Sequence, residues 1–267
     1  MAVKNIILIF FLAPLFLLAQ KKEVDSSIIE VKYYTTFLTD TTQVSSKKED
    51  IMSLRIGQNS SIFRSDLRQK SDSISKSILA EAFTKSSKGV AVTPDLRGVN
   101  RPKFTQEVYL TNGKLLVYDK IRRNTFAFEP VNKINWQLIN ENKKISGYNC
   151  KKAVGKYGKR KIIAWYTLDI PFQEGPYTFK GLPGLIISLE DSKQYYTFLL
   201  KELKNVKKPI VVMNGAIETT FEKFNAKREE VKTDPVGTFS NLTNYKLSKE
   251  EEERIKANNK AKNNHLD

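Results

Sequence analysis

From Val24 to Leu38 apolar and polar residues alternate loosely. Ile28, Ile29, Val31, Tyr33, Tyr34 and Phe37 supply β-branched and aromatic types, and the spacing predicts a strand. Ile51 to Ile56 predicts a second, short strand, ended by Gly57-Gln58-Asn59-Ser60. Between Ser65 and Phe83 the period changes: Leu67, Ile74, Ile78, Leu79, Ala82 and Phe83 fall at helical spacing, although the stretch is rich in serine. Ser86 to Pro102 contains Gly89, Pro94 and Gly98 and predicts a loop.

From Phe104 onward the pattern is that of a β-meander. Glu107–Leu110 and Lys114–Tyr118 flank Asn112-Gly113, a pair that tolerates the positive φ angles of a tight hairpin turn. Thr125–Phe128, Ile134–Ile139, Tyr148–Val154 and Lys161–Tyr166 predict further strands, and Leu185–Glu190 pairs with Tyr195–Leu203 across Asp191-Ser192-Lys193. Thr219 to Val231 predicts a helix with Phe221, Phe224 and Val231 on one side. Residues 248–267 carry few apolar positions and are expected to form a charged, frayed C-terminal tail. No internal repeat or long linker divides residues 20–247. The expectation is one α+β domain with a predominantly antiparallel β-sheet, a curved sheet or half-barrel, and one or two packed helices.

The N-terminus adds a destination. Lys4 precedes an uncharged apolar run from Ile6 to Leu18, and Ala19 stands before Gln20-Lys21-Lys22. That is the layout of a secretory signal peptide over residues 1–19, with cleavage between Ala19 and Gln20. The run is too short for a permanent span, which needs about 20 apolar residues. No cysteine follows it, so a lipoprotein anchor is not expected. The mature protein is expected in the periplasm or outside the cell, without a transmembrane helix.

Charge changes the picture further. Lys and Arg number 45 against 29 Asp and Glu, a formal charge of +16, but only ten of the cations are Arg. Lysines spread along the whole chain argue against specific nucleic-acid recognition, which relies on arginine forks, and favour weak attraction to an anionic membrane surface. One cysteine and one histidine, Cys150 and His265, leave no ordinary zinc set, no internal disulfide and no positioned nucleophile–histidine pair. Neither a phosphate-binding nor a dinucleotide-binding glycine motif is present. No catalytic residue, metal ligand or cofactor is expected.

One segment is distinctive. It reads Gly147-Tyr148-Asn149-Cys150-Lys151-Lys152-Ala153, then Ala164-Trp165-Tyr166, Ile170-Pro171, Gly175-Pro176-Tyr177-Thr178-Phe179, and finally Gly181-Leu182-Pro183-Gly184-Leu185-Ile186. In this order and spacing it resembles the GLPGLI family of secreted proteins of Bacteroidota, named for the last hexapeptide. The resemblance implies an exported envelope protein of β-rich fold and brings no catalytic residues with it.

On physical grounds, Gly181 and Gly184 around Pro183 suit a tight corner feeding the strand that begins at Leu185, with Leu182, Leu185 and Ile186 turned inward. The alternative is that the corner and Trp165, Tyr177 and Phe179 line the mouth of an apolar cavity. Cys150 is expected to be buried and inert, although Lys151 and Lys152 would activate an exposed thiol. Asp169 and Glu174 have the types of an acid/base pair but read more simply as turn residues. The leading expectation is a non-enzymatic protein binding a small apolar or lipid-like ligand in the sheet's concavity. The alternatives are an interaction or scaffold module docking on an outer-membrane complex, with an envelope protein as partner, through a Lys-rich face, which predicts a filled core and an exposed apolar or basic patch, and a carboxylate- or Cys-based enzyme.

Overall fold

The computed structural model describes residues 24–89, 92–243 and 246–267, with the side chains of 241–243 excepted. The expected signal peptide and its cleavage point lie outside the described residues. Among the described residues no helix is long and apolar enough to cross a membrane.

Among the described residues twelve strands form one open, antiparallel-dominated sheet built from two meanders. The first runs β1 (Ile29–Leu38), β2 (Lys47–Ile56), β3 (Ser60–Ser65), β4 (Glu107–Thr111), β5 (Lys114–Ile121) and β6 (Asn124–Phe128). The second runs β7 (Asn135–Ile145), β8 (Tyr148–Tyr157), β9 (Arg160–Thr167), β10 (Leu185–Asp191) and β11 (Tyr196–Asn205). They join where β1 pairs with β11, Val31 opposite Leu203 and Phe37 opposite Tyr196. The two-residue β12 (Ile217–Glu218) lies parallel beside β6, the one exception to the antiparallel pattern. β1 therefore has a partner strand on each edge, and eight of its ten residues are buried, the polar Glu30, Thr35 and Thr36 among them. Asn112 (φ 47°) and Gly113 (φ 76°) make the expected turn between β4 and β5.

Among the described residues four helices flank this sheet: α1 (Asp66–Ser86), α2 (Phe221–Thr233), α3 (Pro235–Thr243) and α4 (Lys249–Lys260). That is more than the one or two the apolar spacing predicts, because α3 and α4 are short and α4 is almost wholly polar. α2 starts at Thr220, whose side chain accepts from Lys223 N–H, and it lays Phe224 on Phe128 with ring centroids 4.5 Å apart. β3 is also new. The turn residues Gly57–Ser60 end β2, but the next five residues, Ser61–Ser65, pair straight back onto it.

The C-terminal segment corrects the expectation of a frayed tail. Ser248 and Glu251 cap α4 reciprocally, each side chain accepting from the other's backbone N–H (3.2 and 2.9 Å). Beyond it, Asn264 donates to the Leu38 carbonyl (2.7 Å), accepts from Arg160 (2.5 Å), and its own carbonyl accepts from the Tyr196 hydroxyl (2.9 Å). Leu266 is 1% exposed, and Asp267 pairs with Arg228 at 2.5 Å. A polar segment docks here through hydrogen bonds to a wall that offers the matching donors and acceptors, which hydrophobic periodicity does not register.

The core is filled by the chain itself. The connection from β9 to β10, residues 168–184, carries Tyr177, Phe179 and Leu182 inward, each 1% exposed or less. Phe179 packs on Tyr157 (5.0 Å), while Phe104 meets Phe37, Phe63, Tyr177, Tyr196 and Phe198 within 6.5 Å. Lys180 fixes this segment to two distant strands. Its ammonium donates to Ser61 Oγ of β3 (3.1 Å) and pairs with Glu174, while its carbonyl accepts from Trp136 Nε1 of β7 (2.9 Å).

Candidate functional site

The residues singled out from sequence occupy structural places. Cys150 is buried, and burial pushes its thiol above the ordinary range, away from the reactive thiolate. Tyr177, Phe179, Leu182 and Leu185 are closed off from solvent and packed on the chain's own side chains, while Pro183 is exposed. Trp165 is half-buried, with the ammonium groups of Lys152 and Lys143 5.7 and 5.9 Å from its ring centre. Gly181 takes the positive φ (89°), whereas Gly184 does not. Gly184 is needed for space, since a β-carbon there would overlap the Thr167 carbonyl oxygen. Glu174 is committed to Lys180, and Asp169 stands exposed, so the two do not form an acid/base pair.

A different region gathers chemistry. A cleft of about 770 Å³ opens at one end of the sheet, between the 101–106 loop, the end of β5, the last turn of α2 and the α4–C-terminal segment. Each wall is held by a specific device. Asp50, 5% exposed, accepts from the backbone N–H groups of Lys103 (3.0 Å) and Phe104 (3.1 Å) and from Ser65 Oγ (3.0 Å). With the loop backbone so pinned, Phe104 enters the core and the side chains of Arg101 and Lys103 are left exposed. At the β5–β6 turn Arg122 adopts φ 59°, a conformation costly for a residue with a β-carbon. Its guanidinium Nη2 donates to the Pro235 carbonyl (2.5 Å) and Thr238 Oγ1 (3.1 Å). Asn259 of α4 donates to the Lys232 carbonyl (2.9 Å), closing the helical side.

The electrostatics are one-sided. Seven Lys and Arg line the cleft against one carboxylate, Asp119. Arg228 is answered by Asp267 and Lys232 by Glu229. Arg101, Lys103, Lys120, Arg122 and Lys262 have no ion-pair partner among the described residues. Lys120 is depressed from the usual ammonium range by burial and then by the charges of Arg68 and Arg101, partly offset by Asp72 and Glu107. Burial pushes Asp119 up to about 6, against the hydrogen bonds it accepts from Lys120 N–H (2.7 Å) and Gln106 Nε2 (2.9 Å). His265 is held below its ordinary value by burial, then by Arg228, so it adds little positive charge at neutral pH. Ile121, Val231, Pro235 and Ile255 supply apolar surface beside the cations. No group of three or more His, Cys, Asp or Glu among the described residues is placed to hold a metal ion.

Sequence reading passes over this site because its cations come from four separated stretches, and in one dimension they merge into the dispersed lysine background. The one local signal is Lys120-Ile121-Arg122-Arg123 at a turn, which reads equally well as a solvated hairpin end.

The family model that matches the chain covers the motif and not the residues that line the cleft. The model of a family described as "Protein of unknown function (Porph_ging)" matches residues 156–188, from the end of β8 into β10 and through the hexapeptide. No curated protein matches the chain. Among solved structures, PNGF-II in space group P21 is similar at 14% identity and a TM-score of 0.46, over 76% of this chain and 32% of that one. PNGF-II in space group C2 is similar at 15% identity and a TM-score of 0.47, over 75% and 32%. The chain thus spans about a third of the length of the structures it matches.

Proposed function

We propose that this protein is an exported, non-enzymatic binding module, and that its ligand is a small anion held in the basic cleft. The observation that carries the reading is the convergence of five cations, none with an ion-pair partner among the described residues, on one cleft of about 770 Å³. Crowding like charges costs free energy in the empty protein, and an anionic ligand returns it. The volume falls in the range of about 300–1,000 Å³ usual for small-molecule sites.

The same reading takes the sheet as a half-barrel whose hollow is structural. Chain reach supports this. β6 and β7 stand ten strand steps apart in the sheet, about 48 Å if it were flat, yet the six residues 129–134 join them. Such a link reaches at most about 25 Å, so the two ends curl toward each other. Lys180, touching β3 and β7 at once, supports the same curl. The hollow so formed is filled by Tyr177, Phe179 and Leu182, which moves the expected ligand out of the concavity and into the cleft at its end.

The test uses 1-anilinonaphthalene-8-sulfonate, an anion with an apolar body, whose fluorescence rises on binding. Saturable, salt-sensitive binding by the native protein is expected, with at least tenfold weakening in Arg101→Glu/Lys103→Glu. Absent binding, or equal binding by that variant, overturns the reading.

A further inference from the structure

Within that reading, on which this inference rests, the chemistry of the cleft narrows the ligand. We infer that the cleft takes a phosphate monoester carrying an alkyl chain, its phosphoryl group among Arg101, Lys120 and Arg122 and its chain along Ile121, Val231 and Ile255.

Three observations point there. The first is the amount of charge. A carboxylate neutralises one cation, whereas a phosphate monoester carries about 1.5 to 2 negative charges and three acceptor oxygens at neutral pH. Five cations without ion-pair partners, against one carboxylate, suit the more highly charged group. The second is the type and fixing of the donors. Arg101 and Arg122 come from different elements, and guanidinium groups match the oxygen spacing of a phosphoryl group as an ammonium does not. Arg122 is pre-positioned: Nη2 is spent on Pro235 and Thr238, and Nε and Nη1 have no hydrogen-bond partner among the described residues. The Phe239 ring, 5.8 Å from the guanidinium carbon, restrains it further. A residue held at positive φ with its side chain already anchored has lost conformational freedom before any ligand arrives, which lowers the cost of binding. The third is the apolar surface. Ile121, Val231 and Ile255 lie beside the cations, with Val231 and Ile255 only half-buried, and a free inorganic anion would leave that surface unused.

The experiment is isothermal titration calorimetry of the full mature chain with four probes: octyl phosphate, octanoate, inorganic phosphate and octyl glucoside, all below their micellar concentrations. Octyl phosphate is expected to bind at least tenfold more tightly than each of the others, and Arg122→Ala to remove most of that margin. Because Arg122 also braces the turn, Lys262→Glu, an exposed change, should weaken octyl phosphate at least threefold with an unchanged unfolding midpoint. Octanoate binding as tightly as octyl phosphate overturns the phosphoryl assignment and leaves the anion-binding reading standing. Inorganic phosphate binding as tightly overturns the alkyl part and identifies a free-phosphate site. Octyl glucoside binding as tightly, or no binding by any probe, overturns this inference and the anionic reading together.

Discussion

At the scale of single residues, two glycines three positions apart in one hexapeptide do different work. Gly181 is required by its backbone angle and has open space around it, so Gly181→Ala should cost about 1 kcal/mol. Gly184 is required by the Thr167 carbonyl oxygen, a backbone atom that cannot swing aside. Gly184→Val should therefore cost more, about 3 kcal/mol or above, by forcing the β9–β10 entrance apart. Urea unfolding of both variants beside the parent checks the order, and a Gly184→Val midpoint equal to the parent's would refute the account. Asp119 makes a second test. Its proton is held in the native state between its unfolded value near 3.8 and its folded value of about 6. The stability it contributes is complete below pH 4 and is lost as pH rises through 6, since folding then buries a carboxylate. The difference in unfolding free energy, parent minus Asp119→Asn, should fall by about 2–3 kcal/mol from pH 4 to pH 7, most of a shift of about two pKa units at about 1.4 kcal/mol each. A difference independent of pH would show that Asp119 is not the buried acid described here.

At the scale of elements, the C-terminal segment is the most consequential. Asn264 satisfies Leu38, Arg160 and Tyr196 at once, and the segment it anchors forms one wall of the cleft. Asn264→Ala keeps the backbone carbonyl that Tyr196 uses but removes the two side-chain bonds, to the Leu38 carbonyl and from Arg160, and its cost should be about 2–3 kcal/mol. Amide hydrogen exchange should show faster exchange in α4 and at Leu266 while the central strands keep their protection. If exchange rises uniformly across the sheet, the segment is part of the global folding unit and not a docked strap. The elements read well from sequence were those with their own period or turn chemistry: the β4–β5 hairpin at Asn112-Gly113 and α2, with Phe221, Phe224 and Val231 at helical spacing. β3 was missed because Gly57–Ser60 announced an end to β2 without announcing that the chain turns back at once.

At the scale of the whole molecule, Lys180 and Glu174 tie the segment inside the sheet to strands that lie far apart in sheet order. Removing one partner leaves an unpaired buried charge, and Lys180→Met should cost about 3–5 kcal/mol. The double variant Lys180→Met/Glu174→Gln should regain a large part of that loss, because neither charge then remains. Thermal unfolding of the cycle measures the coupling, and additive single effects would refute it.

The sequence by itself determined what depends on neighbours along the chain: strand and helix periods, the hairpin turn, the glycine-bracketed corner and the excess of positive charge. Those signals are local because backbone conformation and face selection are settled within a few residues. The tertiary structure alone decided that residues 168–184 fill the hollow, that a polar C-terminal segment docks, and that Arg101, Lys103, Lys120, Arg122 and Lys262 meet. Coulombic crowding and hydrogen-bond matching depend on distance in space, and up to 161 residues of chain separate cations that share one cleft.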